Sequence, residues 1–449
     1  MAMTAEAVVP SPVSLPPLGV LACAGPLPIE VARAALRSGR QVFVVGIEGF
    51  AGAEIAEFPH TRVNIGQVGH MLAAWRAAGC HDLVIAGAML RPNLLRIKVD
   101  RGFFRAIRTA LSLTRGGDDS ILRRVIAFFE REGLRVVGPH TVAPHLLATS
   151  GAFGAVPADG AGMRQVARGA ALIAELGAFD VGQAVLVAAD RVIAIEGVRG
   201  TDAMLRAVAG TAGRPAAGGV LVKLPKPGQE QRIDLPTIGP ETVRRAVEIG
   251  LVGIAVGAGH ALVLERDRMV AEADAAGLFV VGTGEATAHG AGPPAQVVHG
   301  LPVLDVVGRY APTRQERIDI GIGMRVLDVL ACHRAGRGVV VAGEHVLGID
   351  AALPLPTLLS GIGRGSHWGL RAVRRRIGVL VIAALAPPLE SDVGTLVASA
   401  RAIGLAGIAI RSRPEDQDAI TLARTLADAA RLFLLMPAAV APSGRVAAW

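Results

Sequence analysis

Three stretches of this chain occur twice at one spacing. GQAVLVAADRVIAIEG from Gly182 returns as GRGVVVAGEHVLGIDA from Gly336. GLVGIAV from Gly250 returns as GLAGIAI from Gly404, and ADAAGLFV from Ala273 as ADAARLFL from Ala427, so each pair lies 154 positions apart. One offset shared by three separate segments requires a single fold built twice. The repeated stretches are short apolar runs set between amphipathic helices, the pattern of buried strands in a parallel sheet. At 449 residues the chain has room for roughly three domains of about 150 residues. The reading is a flexible tail (1–17), an N-terminal domain (18–150) and a second domain (154–282). A Gly/Ala/Pro-rich linker (283–295) and a degenerate duplicate of the second domain (296–449) follow. The tail has neither the basic start nor the apolar core of a signal peptide.

The first block opens with LGVLACAGPLPIEVARAALRSGRQVFVVGI, a strand, a turn, a helix and a strand. Repeated alternation of this kind predicts an α/β protein, with a Rossmann-like N-terminal domain, a second α/β domain and its duplicate. The turn Ala24–Pro28 follows the first strand but lacks the GxGxxG fingerprint, which disfavours NAD. With 51% hydrophobic residues the chain is not disordered. Its longest apolar run, Gly378 to Leu389, contains Pro387 and Pro388 and falls short of the roughly 18–20 residues a spanning helix needs. Cys23, Cys80 and Cys332 are too sparse for a disulfide framework or a CxxC site, so the expected setting is a reducing cytosol. A net charge of +8 favours anionic partners, although an Arg-rich genome would give the same balance. With 3% aromatic residues, platforms for stacking bases are scarce, which argues against nucleic acid.

The two copies differ in their charges. The second block carries Lys223, Lys226, Gly228, Gln229, Asp234 and Thr237, where the third reads IAALAPPLESDVGT. Lysines at a strand end serve as point charges for phosphate, and Asp234 offers a carboxylate for Mg²⁺ or for orienting water. The structural alternative is a solvated turn, with Asp234 capping the helix after Pro240. Three further stretches follow the same logic: RGGDDS with Asp118 and Asp119, GAMLRPNLLR with Arg91, and EGVRGTDAM with Glu196, Thr201 and Asp202. Helix caps, or a surface arginine, explain each of them equally simply. There is no HExxH, GxSxG or Walker loop. The run Arg371, Arg374, Arg375 and Arg376 suits either anionic headgroups or a solvated turn.

Taken together, LACAGPLP, AGCHDLVIAGAMLRP, GGDDSILRRVIAFFEREGLRVVGPH, LGAFDVGQAVLVAADRVIAIEGVRGTDAML and GGVLVKLPKPGQEQRIDLPTIGPETV resemble the LpxI-type UDP-2,3-diacylglucosamine pyrophosphatases over Leu18 to Gly282. The resemblance implies hydrolysis of UDP-2,3-diacylglucosamine to UMP and 2,3-diacylglucosamine 1-phosphate (lipid X) in lipid A biosynthesis. It implies a divalent cation, usually Mg²⁺, and a UDP-linked lipid substrate. The enzyme would be cytoplasmic and peripheral at the inner membrane. By the same resemblance Asp234 is the essential carboxylate; the expected mechanism has it hold the metal with help from some of Asp118, Asp119 and Asp202. Lys223, Lys226 and Arg91 face developing negative charge, while Gly25, Gln229, Thr237 and Thr201 contact substrate. Cys23 and Ala24 depart from the more Gly/Asn-like turn of such chains. The third block lies outside the two-domain plan. It reads as a partner for the second domain, such as a second copy would supply in a homodimer, or as a regulatory lipid-binding module. The competing functions are a binding protein that has lost activity and a Rossmann-type nucleotide-sugar enzyme.

Overall fold

A computed structural model describes residues 15–88, 98–103, 118–213, 216–226, 229–284, 304–351, 362 and 376–437. They fall into two compact units, one built mainly from residues up to His145 and the other mainly from Leu146 onward.

The first unit is a five-stranded parallel sheet in the order β3-β2-β1-β4-β5. Its strands are β1 (Leu18–Ala22), β2 (Val42–Ile47), β3 (His60–Val63), β4 (Asp82–Ala86) and β5 (Arg135–Val136). This is the expected open Rossmann-like sheet. Helix α1 (Leu27–Arg37) turns Ile29, Val31, Ala32 and Ala35 to the core at helical spacing and stops at Ser38–Gly39, where Gly39 has φ +78°. Helices α2 (Val68–Ala77) and α3 (Asp118–Arg131) supply Trp75 and Phe129, which meet edge to face with ring centres 5.9 Å apart. The sheet reverses direction of growth between β1 and β4, the place where such folds bind ligands.

The second unit holds two six-stranded sheets. In the first, the order is β6-β13-β11-β9-β7-β8. It runs through β6 (Gly151–Ala152), α4 (Gly160–Leu176), β7 (Ala184–Ala188), β8 (Arg191–Ile195), α5 (Thr201–Ala209), β9 (Val220–Lys223) and β10 (Thr237–Ile238). It continues through α6 (Pro240–Glu248), β11 (Gly253–Gly257), β12 (Leu262–Val263), α7 (Arg266–Ala275) and β13 (Phe279–Thr283). Strands β9, β11 and β13 are parallel, whereas β7 runs antiparallel to β9 and β8 antiparallel to β7. Thr283, placed by sequence in the linker, instead closes β13. Its hydroxyl donates to the Val256 carbonyl at 3.2 Å, so the strand runs one residue further than its apolar pattern.

In the second of these sheets the order is β14-β19-β18-β17-β15-β16. Its elements are β14 (Leu304–Val306), α8 (Arg314–His333), β15 (Gly338–Ala342), β16 (His345–Asp350), β17 (Val379–Ile382), α9 (Leu389–Ile403), β18 (Gly407–Ile410), α10 (Gln417–Ala430) and β19 (Phe433–Pro437). The two orders correspond strand for strand. The longest apolar run of the sequence forms β17 and the turn after it. Among the described residues no helix is long and apolar enough to cross a membrane. Between Lys223 and Gly253 lie 29 residues, and between Ile382 and Gly407 only 24, so the copy is shorter where the lysine-rich segment stands.

Asp350 at the end of β16 is buried, 3.7 Å from Arg337. The Arg337 guanidinium is also tied to Asp392 at 2.7 and 2.9 Å. Burial pushes the Asp350 carboxyl up to about 7, with Arg337 opposing and Asp392 adding to the rise. The folded chain therefore keeps a proton that the unfolded chain loses near 3.8, and stability falls as pH rises from there towards 7. Urea unfolding at pH 5 and pH 8 should differ by on the order of 2–4 kcal/mol from this group. Asp350→Asn should remove most of that difference. An undiminished difference in the variant rules Asp350 out as its source.

Candidate active site

The lysine-rich segment leaves the middle of a sheet. Lys223 ends β9 and pairs with Val256 of β11 on one side and Ala184 of β7 on the other. Because β7 is antiparallel to β9, the start of β7 and the end of β8 lie at the same sheet edge as the end of β9. Asp180 and Gln183, Glu196, and Lys223 with Lys226 therefore gather at one edge, although up to 46 residues separate them.

Each charged side chain there has a defined partner. Lys223 Nζ donates to the Thr237 carbonyl at 3.0 Å, which folds the segment back on itself. Strand β10 then pairs with β12, and Leu262 N–H donates to the Pro236 carbonyl at 2.8 Å. Lys226 Nζ reaches Asp180 Oδ1 at 2.6 Å, and its backbone N–H donates to Gln229 Oε1 at 2.8 Å. Gln229 Nε2 donates to Asp234 Oδ2 at 2.5 Å. The amide side chain of Gln229 thus links the lysine end of the segment to Asp234. Asp234 does not cap the next helix. Gly239 is the cap of α6, and its N–H donates to Thr242 Oγ1 at 3.3 Å. The strand that GGVLVK opens ends at Lys223, because Pro225 and the hydrogen bonds above carry the backbone out of the sheet.

The other candidates are placed as follows. Thr201 opens α5, is buried and donates its hydroxyl to Glu196 Oε1 at 2.8 Å. Asp202, largely exposed, stands 3.8 Å from Arg245. The Thr237 hydroxyl donates to the Leu235 carbonyl at 3.0 Å. Gly25, in the first unit, has φ +94° in the turn after β1, beside the bridge between Ala24 and Ala88. Asp118 and Asp119 open α3, and their side chains lie outside the described residues, as do Arg91, Pro227, Gly228, Arg371, Arg374 and Arg375. Arg376 donates to the Ala430 carbonyl.

Sequence reasoning overlooked Asp180 and Gln183. Asp180 sits in the left-handed region at φ +55°, a conformation aspartate tolerates in turns, and only the fold brings it to Lys226. Gln183 Nε2 and Glu196 Oε2 are buried with no hydrogen-bond partner among the described residues. Buried polar atoms are rarely left unpaired, so an unpaired donor and acceptor at this edge are groups that a ligand can satisfy. Among the described residues no group of three or more His, Cys, Asp or Glu is placed to hold a metal ion. Asp202 faces Arg245 and Asp234 takes the Gln229 amide, so the expected carboxylate set is not assembled by them.

Residues 17–146 match the LpxI N-terminal domain and residues 149–281 the LpxI C-terminal domain. The UDP-2,3-diacylglucosamine pyrophosphatase LpxI of Caulobacter vibrioides is 38% identical over 272 residues, which is 59% of this chain and 96% of that protein. A murein peptide ligase Mpl of Psychrobacter arcticus aligns over 94% of this chain and 91% of its own at 11% identity. The TM-score of that alignment is 0.18. The two matched domains cover more than half of the chain and nearly all of the curated relative: the chain belongs to the LpxI family.

Proposed function

We propose that this protein hydrolyses the pyrophosphate of UDP-2,3-diacylglucosamine, giving UMP and 2,3-diacylglucosamine 1-phosphate. The observation that carries the reading is the match to nearly the full length of a protein named as a UDP-2,3-diacylglucosamine pyrophosphatase, on a chain whose Gln229 joins the Lys226 turn to Asp234. In this scheme water forms a bond to one phosphorus and the bridging P–O bond breaks. Asp234, oriented by Gln229, takes the proton of the attacking water. Lys223 and Lys226 face the charge gathering on the phosphoryl oxygens. Gln183 and Glu196 offer one donor and one acceptor to the bound substrate. Thr237 and Thr201 are proposed to line the rest of it. The substrate is a lipid, so the reaction belongs at a membrane surface, where the +8 charge favours an anionic face.

Lys223 and Lys226 are balanced by Asp180 and Asp234, so these four side chains sum to zero charge. A pyrophosphate therefore needs positive charge from elsewhere, and a requirement for Mg²⁺ or a similar divalent cation is part of the proposal. Asp118 and Asp119 remain its proposed ligands, and Asp202 and Asp234 would join them only on release from Arg245 and Gln229.

The test is release of UMP from UDP-2,3-diacylglucosamine by purified protein, with Mg²⁺ and with EDTA. Release that EDTA abolishes and Mg²⁺ restores supports both parts. No release at high enzyme concentration sinks the hydrolase reading, and EDTA-resistant release sinks the cation requirement. Gln229→Ala should lower kcat about 10-fold with little change in KM, because it removes the group that orients Asp234. A rise in KM alone would instead place Gln229 on the substrate.

A further inference from the structure

The two sheets of the second unit share one core. In each copy a single helix lies on the inner face: α4 on β7 and β9, and α8 on β15 and β17. The opposite faces are covered separately, by α5, α6 and α7 in one copy and by α9 and α10 in the other. A helix is about 10 Å across and strands are about 4.8 Å apart, so one helix covers roughly two strands of six. What covers the rest is the other copy. Val222 and Phe279 of the first sheet and Val381 and Phe433 of the second belong to one continuous hydrophobic cluster. Phe279 and Phe433 occupy equivalent positions in the repeat.

The contact joins equivalent elements. Helix α4 packs on α8, and β8 lies against β16. Glu175 of α4 meets His333 of α8 at 3.0 Å, and Arg168 donates to the His333 carbonyl at 3.0 Å. The positions related to Glu175 and His333 by the repeat are Val329 and Phe179, and both pack against the shared core. Contact of like with like is how two identical subunits meet about a two-fold axis. Among the described residues the copy also lacks the polar groups of the first sheet's edge. Where the first sheet has Gln183 and Glu196, the second has Arg337 and Asp350, and Arg337 is consumed by Asp392.

We infer that residues 304–437 act as a tethered second subunit, covering the inner face of the catalytic-type sheet that a second copy of the chain would otherwise cover, so that the protein works as a monomer. Tethering holds the partner at about millimolar effective concentration, so pairing within the chain outcompetes pairing between chains.

Two measurements on the full chain test this. Light scattering on the eluting protein at micromolar concentration should give the single-chain mass of 46.1 kDa. A dimer overturns the inference. In hydrogen exchange, His333→Ala should speed amide exchange in residues 160–176 by about 2–10-fold, and Glu175→Ala should do the same in residues 314–333. Changes confined to the substituted helix in both variants overturn it, whatever the mass.

Discussion

Asp234→Asn is expected to lower the rate of UMP release by about 10³-fold, while leaving the folded structure in place. The substitution keeps the shape of the side chain and removes its ability to accept a proton. Its neighbour Gln229 can still be met through the amide oxygen of the new residue, so the turn that begins at Glu230 should hold. The measurement is kcat for both proteins, with thermal unfolding and UMP binding as controls. Equal rates in variant and parent would take Asp234 out of the mechanism. A parallel loss of unfolding temperature would show that its role is structural.

Asp82→Ala is expected to cost about 3–5 kcal/mol of stability in the first unit. Asp82 begins β4, between β1 and β5, and its carboxylate is 10% exposed. It accepts from Arg40 at 2.8 Å and from Arg135 at 2.7 and 3.0 Å. Removing it strands Arg40, itself 9% exposed, without a counter-charge. The hydrogen bonds from Arg135, aided by Arg40 and opposed by burial, hold the Asp82 carboxyl below its usual range. Its stabilisation is present above the unfolded value of 3.8 and is lost as pH falls through the lower folded value. Urea unfolding of the first unit at neutral pH measures the cost. A loss below about 1 kcal/mol would mean the pair is worth no more than an exposed one.

Much of the architecture was legible in the residues. The runs LGVLA, VFVVGI and DLVIA are strands of one parallel sheet, and the 154-residue offset marks two sheets with the same strand order. Apolar periodicity is local, and it survives in the copy because both copies must bury the same faces. The site was legible only as a set of residue types. KLPKPGQEQRIDLPTIG shows two lysines and an aspartate, but not that Lys226 is held by Asp180 or that Gln229 spans to Asp234. Nor does it show that Asp234 leaves the cap of α6 to Gly239.

The sequence by itself determined the α/β class, the duplication pattern and the family, because these depend on the order and spacing of residues along the chain. Only the tertiary structure decided which charges meet, which polar atoms stay buried and unpaired, and which face of each sheet lies against its copy. Those outcomes depend on distances between residues far apart in the chain. An antiparallel β7 beside a parallel β9 sets them by bringing the start of one strand to the end of the other.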